Sequence, residues 1–280
     1  MSSRNLLKTF TKNRIAVIGV FLSLFMTAIA IFAPWISPYD PMVQNVQDYK
    51  LAPPQTKFIM GTDGYGRDIF SRVVWASRIS LTVGVGSVLL ALVAGCLLGM
   101  IAAYHGGYLD YLIMRSVDIM LSFPTLVLGI MISAILGSGV DKLILTIGFV
   151  MTPRFARMCY GPILSFKESD CIESARAIGA RSVRILRKYI FPNIMGEIIV
   201  MATLWTGTAI VMEASLSFLG LGVSPPTPTW GNLCRAGMNH LEDAPWMFFF
   251  PGLAILIAVL GFNLIGDGLR DITDPKLYEK

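Results

Sequence analysis

The chain has few of the residues that build metal and redox centres. It carries only two histidines, and its four cysteines stand far apart, at Cys96, Cys159, Cys171 and Cys234. Zinc and haem sites need paired Cys or Cys–His spacings, and none is present. We therefore expect no resident metal and no catalytic residues in this chain.

The sequence also lacks a nucleotide-binding loop of the form G-x-x-x-x-G-K-[S/T]. Such a loop cradles phosphates with backbone amides and a lysine. The stretch "GTDGYGRD" (61–68) contains three glycines but no lysine. We therefore expect the chain to bind no ATP and to hydrolyse none.

Charge is scarce, at 15% of the residues, whereas hydrophobic residues make up 54%. A run of about 20 apolar residues is long enough to cross the hydrocarbon core of a bilayer. The sequence predicts an all-α membrane protein with six transmembrane helices, at about 15–36, 79–104, 114–136, 141–163, 194–219 and 247–266. Phe123-Pro124 interrupts the third of them.

The first apolar run has a second interpretation, as a cleaved signal peptide. It follows a short basic tail and contains Ala-Ile-Ala at 28–30, which resembles a cleavage site. However, the run over 15–36 is longer than the usual apolar region of about 7–15 residues in a signal peptide. We expect an uncleaved first helix.

The distribution of Lys and Arg predicts the orientation. Sixteen of the 23 fall in 1–14, 104–115, 153–191 and 267–280, and seven fall in the alternate segments. By the positive-inside rule both termini are cytoplasmic. The basic pI of 9.1 then reflects orientation, and no nucleic acid partner is expected. The predicted parts are a cytoplasmic tail (1–14), a first helix (15–36), an extracytoplasmic loop with an interfacial helix (37–78) and a five-helix core (79–280).

A cytoplasmic segment, 165–192, lies between the fourth and fifth spans. Acidic residues from Glu168 to Glu173 stand where a helix would begin, because the positive end of the helix dipole favours them. Gly179 permits a sharp change of direction, a basic amphipathic stretch follows, and Pro192 closes the segment. The charges alone favour a helix lying on anionic lipid. The complete order of features, an acidic start, a glycine and then a proline between two membrane helices, indicates instead a protruding segment that another protein could bind.

This segment resembles the cytoplasmic signature loop of ABC-importer permeases in residues that share its spacing: Glu173, Ser174, Ala175, Arg176, Gly179 and Pro192. It departs from that signature at Ser174, Tyr189 and Phe191. Three further stretches resemble the dipeptide, oligopeptide and nickel branch of the family. They are "GTDGYGRDIFSR" (61–72), "EASLSFLGLGVSPPTPTWG" (213–231) and "PGLAILIAVLGFNLIGDGLRDITDP" (251–275). The chain is similar to the second permease subunit of that branch.

The resemblance implies a multi-pass type I ABC-importer permease of the bacterial inner membrane. It implies a coupling helix over 168–190, a homologous permease subunit as partner, two cytoplasmic ATPases that hold ATP and Mg²⁺, and an extracytoplasmic solute-binding protein. Short peptides are the expected cargo, and nickel or a metal chelate is the alternative. An ion-driven secondary transporter is less well supported, because no internal repeat is visible.

Polar residues in the fifth span have two interpretations. Glu213, with the nearby hydroxyl groups of Ser215 and Ser217, could line or gate the translocation path. The alternative is hydrogen bonding to a neighbouring helix, since ionisable groups at membrane depth usually face a bundle interior or a water-filled path.

Two outer features also have two interpretations each. The stiff loop 222–232 either receives a docked protein, through Pro225, Pro226 and Trp230, or merely connects two helices. The element 66–78 either anchors the second span at the headgroups, where Trp is favoured, or borders the mouth of the path or contacts a docked binding protein.

Overall fold

The fold is described by a computed structural model over residues 13–273, without the side chains of residues 46, 47, 183 and 273. Its longer helices are, in chain order, α1 (Arg14–Ile36), α2 (Ile69–His105), α3 (Gly107–Ser122), α4 (Thr125–Leu136), α5 (Val140–Lys167), α6 (Asp170–Ala177), α7 (Phe191–Phe218), α8 (Trp230–Met238) and α9 (Trp246–Thr273). Over this range the fold is all-α, as predicted. The predicted tail 1–14 lies outside the described residues except for its last two.

Four helices of the described range are long and apolar enough to cross a membrane: Arg14–Ile36, Ile69–His105, Leu186–Phe218 and Trp246–Ile272. The pair α3 and α4 is a fifth candidate, although the chain bends by 99° between the two helices. The bend lies at the predicted interruption, because a proline disfavours helical conformation in the residue before it.

A single helix, α2, replaces the two elements predicted over 66–78 and 79–104. It runs for 37 residues, or about 56 Å, which exceeds the roughly 30 Å of a hydrocarbon core. No glycine or proline interrupts the sequence between Asp68 and Ile79. Asp68 caps the helix by accepting a hydrogen bond from the Ser71 backbone N–H at 2.8 Å. The predicted interfacial helix is thus the outer end of α2.

Helices α2 and α5 cross at very close range. A Cβ atom on Gly95 would lie 2.5 Å from the carbonyl oxygen of Thr152, and one on Gly99 would lie 2.5 Å from that of Ala156. Glycines four residues apart are the pattern that lets the backbones of two membrane helices approach each other. The crossing therefore depends on the missing side chains of α2.

An inner hydrophobic core surrounds this crossing. The ring of Phe155 on α5 is buried and meets Trp205 of α7 edge-on, with 4.4 Å between ring centroids. Further along α5, Ile163 belongs to the same core as Ile172 of α6 and Ile190, and all three side chains are 0% exposed. This core joins α2, α5, α6 and α7 into one body.

Helix α1 lies along α9 through small residues. A Cβ on Gly19 would come within 2.7 Å of the backbone nitrogen of Ile265. The other side of α1 is open and apolar, with Phe21 67%, Leu24 63% and Trp35 78% exposed. A helix that is hydrophobic on all sides and exposed on one is typical of contact with lipid.

The chain continues as a helix through Pro192, whereas the sequence predicts that this proline closes the cytoplasmic segment. Proline has no N–H for an α-helical hydrogen bond. The helix widens into a π-turn over Leu186–Ile190, in which the Phe191 N–H donates to the Leu186 carbonyl. The wider turn accommodates Pro192, which is the second residue of α7. The basic segment and the fifth span are therefore continuous.

Two polar contacts fix the bent pair α3 and α4 to α5. Arg157 of α5 forms an ion pair with Asp118 of α3. Arg154 donates to the hydroxyl oxygen of Thr125, at the start of α4, at 2.6 Å. Both arginines thus have partners on the bent pair, the Arg157 ion pair at an exposed position and the Arg154 hydrogen bond at a partly buried one.

Replacing Gly95 by alanine should disrupt the α2–α5 crossing, because the new methyl group would clash with backbone atoms that cannot turn away. We expect Gly95→Ala to destabilise the chain by roughly 1–3 kcal/mol and to lower its Tm in detergent. Gly161→Ala on α5 is the matched control, since a Cβ there would meet nothing within 4 Å. Equal Tm values for the two variants would contradict a packing role for Gly95.

Candidate functional site

The short helix α6 is presented on the surface between α5 and α7. Its first turn contains Asp170 and Glu173, where the helix dipole favours negative charge. Ile172 and Ala175, three residues apart on one face, are buried. The exposed residues of the predicted coupling loop in this helix are Glu173, Ser174 and Arg176.

A tight turn at Gly179 ends this segment. Gly179 has a φ of +79°, in the left-handed region that favours glycine. The Gly179 N–H donates to the Arg176 carbonyl at 2.9 Å, and the Ala180 N–H donates to the Ala175 carbonyl at 3.0 Å. These bonds satisfy carbonyls at the helix end. The predicted change of direction at Gly179 lies in this turn.

The inner side of α6 is fixed to three long helices. Ile172 lies in the inner core together with Ile190, which precedes α7. The side-chain cations of Lys167, at the end of α5, and Arg176 each lie 5.9 Å from the centre of the Tyr104 ring, near the end of α2. A displacement of α6 therefore acts directly on α2, α5 and α7.

Ile178 is a candidate contact residue that the sequence prediction omitted. Its side chain is 82% exposed although it lies outside the long helices that lipid could cover. Helical spacing from Ile172 and Ala175 would assign Ile178 to their buried face. The turn at Gly179 ends the helix before that face continues, so the side chain projects outward beside Glu173 and Arg176.

Two polar residues of the fifth span, Glu213 and Ser217, lie inside the protein. Glu213 is 0% and Ser217 is 2% exposed, and the Ser217 hydroxyl donates to Glu213 Oε1 at 2.7 Å. The hydroxyls of Ser80 on α2 and Thr229 before α8 face the same carboxyl group. Ser215 hydrogen-bonds within its own helix. The recorded hydrogen bond of Glu213 lies within α7, although its carboxyl group is enclosed by α2 and the residue before α8, and the predicted pathway role of these residues stays a prediction.

The proline-rich loop before α8 has an exposed and a buried part. Pro225 and Pro226 are exposed. Trp230 is 0% exposed, and its indole N–H donates to the Val73 carbonyl at 3.1 Å. The prediction that Trp230 contacts a docked protein therefore needs correction. Its side chain holds the loop on α2, and the prolines form the accessible part.

A surface groove of about 670 Å³ lies beside this loop. Its walls are the end of α1, residues 37–42, the outer end of α2, and Thr227 and Pro228. Trp75 and Arg78, from the predicted interfacial helix, line it, and the Arg78 guanidinium lies 5.2 Å from the centre of the Trp75 ring. Thr227 and Pro228, which line the groove, directly follow the exposed prolines in the chain.

Buried charges hold the loop before α2 in place. Arg67 Nε lies 2.7 Å from Asp63 Oδ2, and Arg72 Nε lies 3.7 Å from the same oxygen. Arg72 also donates to the Pro41 carbonyl at 2.8 Å. Buried charges need partners, and the contacts of Asp63 with the two arginines hold the "GTDGYGRD" stretch against the start of α2. These two arginines therefore do not face the headgroups.

Two cysteines that are far apart in the sequence meet at the α2–α5 crossing. The Sγ atoms of Cys96 and Cys159 lie 2.9 Å apart, and both residues are buried. Among residues 13–273, no group of three or more His, Cys, Asp or Glu side chains is placed to hold a metal ion.

Comparison with protein families gives two matches. Residues 95–278 match the family described as the binding-protein-dependent transport system inner membrane component. Residues 3–54 match the N-terminal transmembrane domain of oligopeptide transport permease C. Together these matches cover most of the chain.

Three similar proteins are bacterial permeases. The dipeptide transport system permease protein DppC of Alkalihalophilus pseudofirmus is 42% identical, over 98% of this chain and 90% of that protein. The di/tripeptide permease protein DppC of Pseudomonas aeruginosa is 41% identical, over 96% and 91%. The glutathione transport system permease protein GsiD of Escherichia coli O157:H7 is 42% identical, over 96% and 89%.

A similar solved structure is the MetNI methionine ABC transporter in an inward-facing conformation. It matches with a TM-score of 0.58 and 20% sequence identity, over 74% of this chain and 98% of that chain. At this identity the likeness concerns the fold, which is that of a type I ABC-importer permease.

Trp230→Ala should destabilise the folded chain severely, because it removes a large buried side chain and its hydrogen bond to Val73. The expected loss is about 3–5 kcal/mol, measured as a lower Tm and a smaller monodisperse fraction in detergent. Trp35→Ala is the matched control, because Trp35 is 78% exposed and should change the Tm little. A Trp230→Ala variant as stable as Trp35→Ala would return Trp230 to the surface of the loop.

Proposed function

This chain belongs to the family of inner-membrane permease components of binding-protein-dependent ABC importers, and on that premise we propose that it forms half of a translocation path for short peptides. A homologous permease subunit supplies the other half. Two cytoplasmic ATPases, which hold ATP and Mg²⁺, drive the cycle through residues 168–190, and an extracytoplasmic solute-binding protein delivers the cargo.

One observation carries the coupling proposal: α6 is exposed on one side and packed into the inner core on the other. Glu173, Ser174 and Arg176 offer an accessible ridge, while Ile172 and Ala175 are buried. A partner that moves the ridge moves the long helices with it. We infer that closure of the ATPases shifts this segment and opens the path outward, and that hydrolysis reverses the change.

The cargo proposal is supported by the relatives. Two of them are named for dipeptides and di/tripeptides, and the third for glutathione, which is itself a small peptide. Nickel or a metal chelate is the alternative that the wider family suggests. The uptake experiment below separates the two.

We further propose six spans across the bacterial inner membrane, with both termini in the cytoplasm. α3 and α4 count as one broken span. α5, the fourth span in chain order, completes the six. Its 28 residues extend about 42 Å. The ion pair of Arg157 with Asp118 reduces the cost of carrying charge at membrane depth. The Lys and Arg distribution supports the orientation.

In this orientation the exposed prolines and the adjacent groove face the solute-binding protein. Pro225 and Pro226 are stiff and accessible, and their loop is held from below by Trp230. A rigid surface loses little conformational freedom when a partner docks on it. We propose this loop and the groove beside it as the docking face.

Ile178→Ser should weaken binding of the ATPases without unfolding the permease, because the side chain is 82% exposed. We expect roughly tenfold weaker recovery of the ATPase with the assembled transporter, the effect of losing one apolar contact. Leu241→Ser, at a position 46% exposed on the proposed outer side, is the control and should change nothing. Undiminished ATPase recovery with Ile178→Ser would place the contact elsewhere.

Cells that lack this chain should lose uptake of a labelled dipeptide and keep uptake of labelled nickel, because the proposed path carries short peptides. Both uptakes are measured in parallel, and a plasmid copy of the chain should restore the first. Loss of nickel uptake alone would overturn the peptide cargo and leave the coupling proposal standing.

A further inference from the structure

An apolar groove and a basic basin adjoin each other on the surface. The groove, about 420 Å³, lies between α2 and the start of α7 and is lined mainly by hydrocarbon side chains such as Val93, Leu97 and Phe191. The basin, about 530 Å³, is lined by Arg181, Arg184, Arg187 and Lys188. Arg187 lines both, so we treat them as one trough.

The apolar wall of the trough is a regular stripe along α2. Leu89, Val93, Leu97 and Ile101 are spaced four residues apart and are 56%, 57%, 51% and 38% exposed. Val93, Leu97 and Ile101 line the groove over about 12 Å, and Leu89 extends the exposed stripe beyond the groove to about 18 Å, close to one leaflet, which is half of a roughly 30 Å hydrocarbon core. An acyl chain therefore fits it in length and in chemistry.

The basic end of the trough carries uncompensated charge. All four cations of the basin are exposed, and within the described range the recorded ion pairs involve other residues. Arg184, Arg187 and Lys188 lie on the helical stretch over 182–190 that leads through Pro192 into α7, and Arg181 directly precedes it, at the level where the chain enters the membrane in the proposed orientation. Basic groups at that level are attracted to the anionic lipids of the cytoplasmic leaflet.

We propose that the trough binds one anionic phospholipid, with an acyl chain along the α2 stripe and the headgroup phosphate in the basin. A free phosphate would leave the groove unused, and a neutral lipid would leave the cations unpaired. The two halves together match an amphiphile with a negative head. The proposal rests on the membrane orientation proposed above. It places a lipid between α2 and the coupling segment, where lipid composition would affect the coupling.

The test is native mass spectrometry of the full chain in detergent, titrated with phosphatidylglycerol or with phosphatidylcholine of the same acyl chains. We expect tighter binding of phosphatidylglycerol. The double variant Arg184→Gln/Arg187→Gln should weaken it about 30-fold, since each basic group contributes to the attraction. The control Lys50→Gln/Lys142→Gln removes equal charge elsewhere and should have no effect. Val93→Trp, which fills the groove at an exposed position, should weaken both lipids.

Other outcomes would overturn the proposal. Equal binding of the two lipids, or unchanged selectivity in the arginine double variant, would show that the basin does not hold the headgroup. Competition by inorganic phosphate as strong as by phosphatidylglycerol would indicate a free-phosphate site. Loss of the bound lipid in the transporter assembled with its ATPases would assign the cations to those subunits. Because the readout is binding, it is independent of failure of the uptake experiment.

Discussion

The close crossing of α2 and α5 is the contact on which the rest of the structure depends. Gly95 and Gly99 bring the two backbones so near that the larger side chains must pack to either side. Phe155 and Ile163 of α5 are thereby directed into the core that receives Ile172 of α6. Because protein cores are close-packed, a change in the angle between α2 and α5 cannot be absorbed within the crossing and must move α6.

The two ends of the bundle are stabilised by different kinds of interaction, polar contacts at the outer end and apolar packing at the inner end. At the outer end, buried polar groups set the geometry: Asp63 pairs with two arginines, and Arg72 donates to the Pro41 carbonyl. Leaving such a buried group without its partner costs about 1–3 kcal/mol, so this end has few alternative arrangements. At the inner end the contacts around Ile172 are apolar and non-directional, which permits a small shift of α6 without loss of a specific bond.

Much of this fold follows from local sequence signals. The apolar runs predict the long helices, because span length is a property of the sequence itself, and the acidic start and Gly179 predict the α6 turn from helix-end chemistry. What escapes prediction depends on residues distant in the chain. Trp230 is buried in the cluster that contains Val73, whose carbonyl accepts its indole N–H, and Cys96 meets Cys159 across two helices. The helix continues through Pro192 because of a π-turn, and the residue types in this segment do not predict a π-turn.

The continuity through Pro192 also has a mechanical consequence. The helix from Leu186 to Phe218 contains 33 residues and is about 50 Å long. One end lies in the coupling segment, and the other carries Glu213, whose carboxyl group faces the hydroxyls of Ser80 on α2 and of Thr229 at the base of the proline-rich loop. A single helix therefore connects the surface proposed for the ATPases to the surface proposed for the binding protein. Because an intact helix resists compression along its axis, displacement at one end reaches the other, which is what alternating access requires.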